Sequence, residues 1–395
     1  MKIFKLILLT LSILTVYEVW SNPIEETSEE STNILFWSSK QKEKGFNRID
    51  EFIPSLPIKK GKYTYHLENK FIDLSNVSYD LYGKSYSIKD YFLKLRVAGL
   101  LVVHKGNIVY EEYGLDNDEN SRWISFSVAK SVTSMLLGAA IQDGFIGSVE
   151  DPITKYLPQL VGSSYENVSI KNLLQMSSGV DWDENYSDPE SDVSIAAGFN
   201  STTLFNYLSK LPINSKPGKL FNYNTGETNL VGDLVRSAIN NNLSYYLEQK
   251  IWQPFGMESD GSWSLDGNHL LELGGCCINA TLRDYARIGL FAMHDGRLND
   301  GTRVLPEGWM EESTAPSKGY KGYGYQWWLE TGELGSFSAL GIFGQMIWIN
   351  PTTETVIVMH SAWPFASTQE LSIHQFMLTK AINDFLKKIP KVKNE

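Results

Sequence analysis

The sequence predicts an α+β fold: a central antiparallel sheet flanked by helices, with a helical lobe inserted between its strands. Three observations carry this. Strand-like runs lie toward both ends of the chain, over residues 97–113 and 337–360. The long middle between them is helical and rich in loops. The joins Lys105-Gly106 and Asn350-Pro351-Thr352-Thr353 are short, which suits antiparallel neighbours.

Composition bounds what such a fold can do. The chain has 395 residues, enough for a large core in one domain or two lobes. Hydrophobic residues make up 42% and charged residues 21%, an ordinary globular balance. Thirty-five Lys and Arg against 46 Asp and Glu leave a net charge of −11. That charge repels phosphate backbones and disfavours nucleic acid and anionic membrane surfaces as partners.

Taken in order, the chain starts with a predicted secretory signal over residues 1–21. Lys2 and Lys5 precede an apolar run from Leu6 to Tyr17, and Val19-Trp20-Ser21 is an acceptable cleavage site. The run is short for a span of about 20 residues, and Glu18 follows it closely. The expectation is an exported, soluble bacterial protein, periplasmic or secreted, with no stable membrane span. Residues 22–95 form an N-terminal extension. Its first part, to about residue 60, is polar and broken by Pro23, Pro54 and Pro57, and reads as a leader or linker; the rest has no assignable element. Residues 96–390 carry the main folded unit.

Within that unit, Val97 to His104 and Asn107 to Tyr113 read as a hairpin. Ser127 to Asp143 is a buried-looking helix with Gly144 just past its end. Ser169 to Leu174, Thr225 to Ile239, Leu243 to Ile251 and Thr281 to Met293 read as helices, with Ser169 and Thr281 placed to cap. Tyr325 to Leu329, Phe337 to Leu340, Gln345 to Ile349 and Thr355 to His360 have strand composition, and a helix from Thr368 to Lys387 closes the chain. Cys276 and Cys277 are the only cysteines and are adjacent, so they cannot staple distant segments; two buried thiols are expected. With no Cys/His cluster, neither a metal site nor a cofactor is suggested.

The chemistry concentrates around Ser127-Val128-Ala129-Lys130. A serine and a lysine three apart share one helix face, and the lysine can ease deprotonation of the serine. Ser-x-x-Lys arises roughly once or twice by chance in a chain this long. A second copy, Ser39 to Lys42, sits in a polar stretch without other catalytic signs. Surroundings distinguish the first. Ser127 stands at a predicted helix start, where its N–H is free for a developing oxyanion, although capping is the commonest task of a serine there. Phe221-Asn222-Tyr223-Asn224-Thr225-Gly226 offers a tyrosine that could act as general base or acid if the ammonium held its phenolate. Ala339-Leu340-Gly341-Ile342-Phe343-Gly344-Gln345 puts glycines on a strand, permitting close approach of a substrate or a tight bend. No Gly-x-Ser-x-Gly elbow occurs, and no histidine sits in a recognisable triad setting.

These residues, in this order, resemble the serine β-lactamase and penicillin-binding-protein superfamily, with its β-lactamase/transpeptidase-like fold. The nearest branch looks like class C-type esterases and nylon-oligomer (6-aminohexanoate-dimer) hydrolases. Leu174-Gln175-Met176-Ser177-Ser178-Gly179-Val180, Gly274-Gly275-Cys276-Cys277 before Thr281-Leu282-Arg283-Asp284, and Tyr323-Gly324-Tyr325-Gln326-Trp327-Trp328 strengthen the resemblance. It implies Ser127 as nucleophile, Lys130 as proton acceptor or relay, and Tyr223 as the acid/base of a Tyr-x-Asn motif. It implies an oxyanion hole from the N–H groups of Ser127 and Ile342, with Gly341 in support. Thr225 replaces the asparagine, and Ala339-Leu340-Gly341 replaces a motif that normally brings a cationic or polar side chain. It further implies Tyr186 as a loop tyrosine over the substrate, and Trp327 and Trp328 as acyl-pocket residues. The expectation is an exported serine hydrolase that cleaves a small ester or amide through an acyl-enzyme. Two alternatives stand beside it: a β-lactamase or D,D-peptidase, and a non-catalytic module that is acylated once and stalls.

Overall fold

The computed structural model describes residues 31–330 and 335–389. The predicted secretory signal lies outside them. In chain order the strands are β1 (Ser55–Ile58), β2 (Glu68–Asn69), β3 (Ser78–Leu81), β4 (Lys84–Ser87), β5 (Val97–His104), β6 (Asn107–Tyr113) and β7 (Arg122–Ile124). After the helical middle come β8 (Gly261–Ser264) and β9 (Ile278–Thr281), then β10 (Trp328–Leu329), β11 (Phe337–Gly341), β12 (Gln345–Asn350) and β13 (Thr355–Ser361).

Every residue of β5 is buried, the pattern of a strand covered on both faces. Its side chains alternate accordingly. Leu101 and Val103 enter one core, with Ile347, Ile349, Val356 and Val358. Leu100 and Val102 enter a second, with Met346, Trp348, Ile357 and Met359. The helix Leu282–Met293 covers the first face and the C-terminal helix Gln369–Lys387 belongs to the second core. The seven-stranded sheet runs β10-β11-β12-β13-β5-β6-β2. Its pairings are antiparallel except β2 with β6. β13 pairs directly with β5, from Thr355 opposite His104 to Ser361 opposite Val97, so the two ends of the unit meet at the sheet centre. A second sheet, β1-β8-β9-β7, lies beside the helical middle. No helix among the described residues is long and apolar enough to cross a membrane.

Most predicted elements form with close bounds. The helix after Ser127 covers Val128–Gln142 and stops before Gly144, which is left-handed (φ 79°). Ser169 caps Ile170–Leu174 with a capping box, and Thr281 caps Leu282–Met293. One prediction lengthens and one shortens. The helix predicted from Leu243 to Ile251 is α-helical to Leu247, continues as a π-helix over Glu248–Trp252 and ends at Phe255. Tyr325 to Leu329 keeps only Trp328–Leu329 as strand. Gln326 is left-handed (φ 65°) and its amide donates to the Leu173 and Leu174 carbonyls, which bends the chain away from the sheet.

The expected leader or linker before residue 60 is instead part of the packed molecule from residue 31 onward. The helix Ser39–Gly45 begins in a capping box of Ser38 and Gln41. Trp37, Phe46, Ile49 and Ile58 are almost wholly buried, so a few anchors hold a polar segment. Pro57 lies within β1, which tolerates it because β1 is an edge strand. Lys42 of the second Ser-x-x-Lys is buried, and its Nζ donates to the carbonyls of Trp363 (3.2 Å) and Pro364 (2.6 Å). The segment from 61 to 95 supplies the hairpin β3-β4 and the helix Ile88–Leu95, capped by Ser87 and Asp90.

The cysteines correct another expectation. Cys276 and Cys277 are joined as a disulfide rather than left as two thiols. Cys277 is left-handed (φ 93°), which brings the two side chains to one side of the chain.

Phe46 is completely buried, and its ring lies 5.1 Å from that of Phe126, 5.5 Å from Phe343 and 5.8 Å from Trp123. Phe46→Ala should destabilise the whole fold by about 3–5 kcal/mol in urea denaturation. An unchanged midpoint would place the N-terminal segment outside the cooperative core.

Candidate active site

Ser127 enters the site from β7 through a tight turn. Phe126 is left-handed (φ 43°), and the N–H groups of Val128, Ala129 and Lys130 bond back to the carbonyls of Ser125, Phe126 and Ser127. Ser127 occupies the N-cap position, yet its side chain makes no cap bond. The hydroxyl instead accepts from Lys130 Nζ at 3.0 Å and shares a recess with the Tyr223 side chain.

Lys130 is buried one turn into the helix. Its ammonium has three donors, and three acceptors meet them: Ser127 Oγ, Thr225 Oγ1 at 2.9 Å and the Gly275 carbonyl at 2.8 Å. Burial penalises the charged form and lowers its pKa to about 8, against an opposing pull from Glu184.

Tyr223 reaches the serine from the loop before the helix Thr225–Ile239. Its ring stacks on Trp328 at 5.5 Å and meets Tyr323 edge-on at 6.1 Å. Burial, reinforced by Glu184, pushes the phenol well above its ordinary range, so it stays protonated. Lys130 Nζ lies 5.4 Å from the centre of the Tyr223 ring and spends its hydrogen bonds elsewhere.

Glu184 is the residue that sequence reasoning missed. It sits in Trp182-Asp183-Glu184-Asn185-Tyr186, where two adjacent acids look like a solvated loop. Its carboxylate accepts from the Thr225 N–H (3.0 Å), the Thr225 hydroxyl, the Tyr186 hydroxyl (2.5 Å) and the Trp182 indole. A hydroxyl has one proton to give. Thr225 gives it to Glu184, so the lone pairs of its oxygen face Lys130. The sequence offered only a faint pointer: the tyrosine singled out in this loop, two residues on, is one of these donors.

Gly341 ends β11 beside the serine. A Cβ there would stand 2.3 Å from the Ser125 carbonyl. The glycine thus admits the neighbouring backbone, and it also borders the recess that holds Tyr223 and Trp328. Ile342 follows, then Phe343 in a left-handed conformation (φ 61°), fixed by its N–H to the Ala366 carbonyl at 2.7 Å. The N–H groups of Ser127 and Ile342 donate to no loop, turn or cap carbonyl among the described residues.

Two recesses meet at Ser127, Tyr186 and Ile342. One, of about 100 Å³, is mainly apolar and runs toward Trp182, Val193 and Leu273, with the Cys276–Cys277 pair in its wall. The other, of about 330 Å³, contains Tyr223, Trp328, Leu340 and Trp363. Tyr186 stands in both walls. Trp328 is on the Tyr223 side. Trp327 is fully buried against Phe337 at 5.2 Å and belongs to the core, not to an acyl pocket. None of the six histidines borders either recess.

A family model described as beta-lactamase matches residues 91–372. The 6-aminohexanoate-dimer hydrolase of Paenarthrobacter ureafaciens is 29% identical over 291 residues, 68% of this chain and 73% of its own. Among solved structures, a Bacillus anthracis protein described as a candidate 6-aminohexanoate-dimer hydrolase gives a TM-score of 0.80 at 22% identity, covering 92% of this chain and 100% of its own. A family VIII carboxylesterase gives 0.56 at 15% identity, over 74% of this chain and 97% of its own. A class C beta-lactamase gives 0.57 at 16% identity, over 74% and 95%. At such identities the structures share the fold.

Because Gly341 passes so close to Ser125, Gly341→Ala must push β11 from the Ser127 turn. It should cost about 1–3 kcal/mol in denaturation, as overpacking does. A crystal structure of the variant with both segments unmoved would refute this.

Proposed function

The chain belongs to the beta-lactamase family of serine hydrolases, and from that premise we propose that it is an exported esterase or amidase acting through a Ser127 acyl-enzyme. One observation carries the assignment. The Ser127 hydroxyl does not cap its helix but is held between a buried lysine with a lowered pKa and a protonated tyrosine. Export is supported by the leader pattern Lys2, Lys5 and Leu6 to Tyr17.

In this reading neutral Lys130 takes the serine proton as Oγ attacks the substrate carbonyl. The oxyanion forms between the N–H groups of Ser127 and Ile342, at the helix start, where backbone donors and the dipole favour negative charge. The proton returns through Tyr223 to the leaving oxygen or nitrogen. Deacylation runs the relay backwards: water gives its proton through Tyr223 to Lys130, and Ser127 is released with a proton restored. Thr225 supplies an acceptor for Lys130, and Glu184 holds Thr225 in that role. A small ester or amide is the substrate class; relatives are named for both. Ala339-Leu340-Gly341 offers no cation for a β-lactam carboxylate, which ranks antibiotic and D,D-peptide hydrolysis below it. Retention of serine, lysine and tyrosine together argues against a module that is acylated once and stalls.

Ser127→Ala should abolish labelling by a fluorophosphonate and turnover of p-nitrophenyl esters, and any retained turnover refutes the mechanism. Tyr223→Phe should slow amide cleavage by about 10²–10⁴-fold, the ordinary worth of a positioned acid/base. Efficient nitrocefin turnover would reverse the ranking of substrates.

The base works unprotonated, so kcat/KM should rise with pH and level off above an inflection near 8. Glu184 raises the pKa of Lys130, so Glu184→Gln should move that inflection to lower pH. An unmoved or alkaline-shifted profile would remove Glu184 from this role.

A further inference from the structure

We infer that the substrate is uncharged on both sides of its scissile bond, with a compact apolar acyl group seated against the N-terminal segment. This rests on the hydrolase reading above and adds the chemistry of the two substrate halves.

Orientation follows from Tyr223. The group that protonates the leaving atom borders only the 330 Å³ recess, so the leaving group lies there, beside Trp328 and Trp363. The acyl group then enters the 100 Å³ recess. Its walls include Trp182, Val193 and Leu273 together with Ile34, Leu35 and Ile53. These last three precede residue 91, where the family match begins. Part of the acyl wall is therefore built by a segment that the family model does not cover.

Among the described residues, neither recess is bordered by Lys, Arg, Asp, Glu or His. The two charged groups nearest the reaction, Lys130 and Glu184, already spend hydrogen bonds on protein partners. Lys130 has three acceptors for its three protons, and Glu184 takes four donors. An ionic group on the substrate would lose water and find no counter-charge. An anionic substrate would also approach a protein of net charge −11.

The test compares p-nitrophenyl esters of hexanoate, 6-aminohexanoate and adipate (the monoester) at pH 8, with the full chain. kcat/KM for hexanoate should exceed both ionic esters by at least tenfold. A smaller difference, or preference for either ionic ester, overturns the inference while leaving the acyl-enzyme intact. Failure of every ester together with an unlabelled Ser127 removes the hydrolase reading and the inference with it. Leu35→Asp places a carboxylate in the acyl wall. It should narrow the gap between hexanoate and 6-aminohexanoate at least threefold, through KM rather than kcat. Ala196 also borders this recess, so Ala196→Asp makes the same test there, and an unchanged ratio in both labelled variants places the acyl group elsewhere.

Discussion

A lysine amine cut off from water has to be satisfied by protein, and Lys130 is satisfied by three segments far apart in sequence. Taking its charge out of water costs several kcal/mol unless every donor finds a partner. Ser127, Thr225 and Gly275 provide those partners. The requirement reaches beyond the three contacts. For the Gly275 carbonyl to arrive, Gly274-Gly275 must run against the helix Thr225–Ile239, and a Cβ on Gly274 would stand 2.6 Å from the Thr228 carbonyl. Thr133 Oγ1 then pins the Gly274 carbonyl at 2.6 Å, and Asn229 receives the Gly275 N–H at 2.8 Å. One buried amine thus sets the spacing of two helices and the approach to β9.

The backbone N–H groups of Ser127 and Ile342, the proposed oxyanion donors, depend on a separate support. Phe126 before the serine and Phe343 after Ile342 are both left-handed, a conformation that costs bulky residues free energy and persists only where surroundings enforce it. Their rings lie 5.2 Å apart, and Phe46 packs on both. Lys42 caps the cluster, with Nζ 4.7 Å above the Phe343 ring and bonded to two carbonyls, of Trp363 and Pro364, in the loop after β13. The N-terminal segment is therefore part of what holds the two N–H groups at their separation. It also walls the smaller recess, so one segment supports both the proposed oxyanion donors and the proposed acyl site.

Sequence pattern reached the parts of this molecule whose signals are local. The β5-β6 hairpin, the helix after Ser127 and the capped helices after Ser169 and Thr281 each carry their own punctuation. Ser127, Lys130 and Tyr223 were legible because a serine–lysine pair and an aromatic-polar loop resemble a known constellation. What stayed hidden depends on distant packing. Nothing local separates Trp327, in the core, from Trp328, in the recess, since a turn at Gln326 decides their directions. Phe46 hides in a polar segment that one buried ring anchors. Glu184 looks like any acid in an exposed loop until the fold lays that loop over Thr225.

Thr225 is where this hidden residue changes the chemistry. In the motif the chain resembles, this position is an asparagine, whose amide can both donate and accept. A threonine oxygen has a single proton, and Glu184 takes it, so the oxygen can only accept from Lys130. That fixes the direction of the network: protons point from Lys130 to Thr225 and from Thr225 to Glu184. Glu184 also favours the charged lysine while burial disfavours it, and the balance settles near 8. The same carboxylate drives the Tyr223 pKa upward. Burial therefore divides the two groups, lifting the tyrosine and lowering the lysine, while Glu184 adds to the first shift and opposes the second. In the proposed mechanism the lysine is then the group that is neutral near pH 8 and takes the first proton from Ser127.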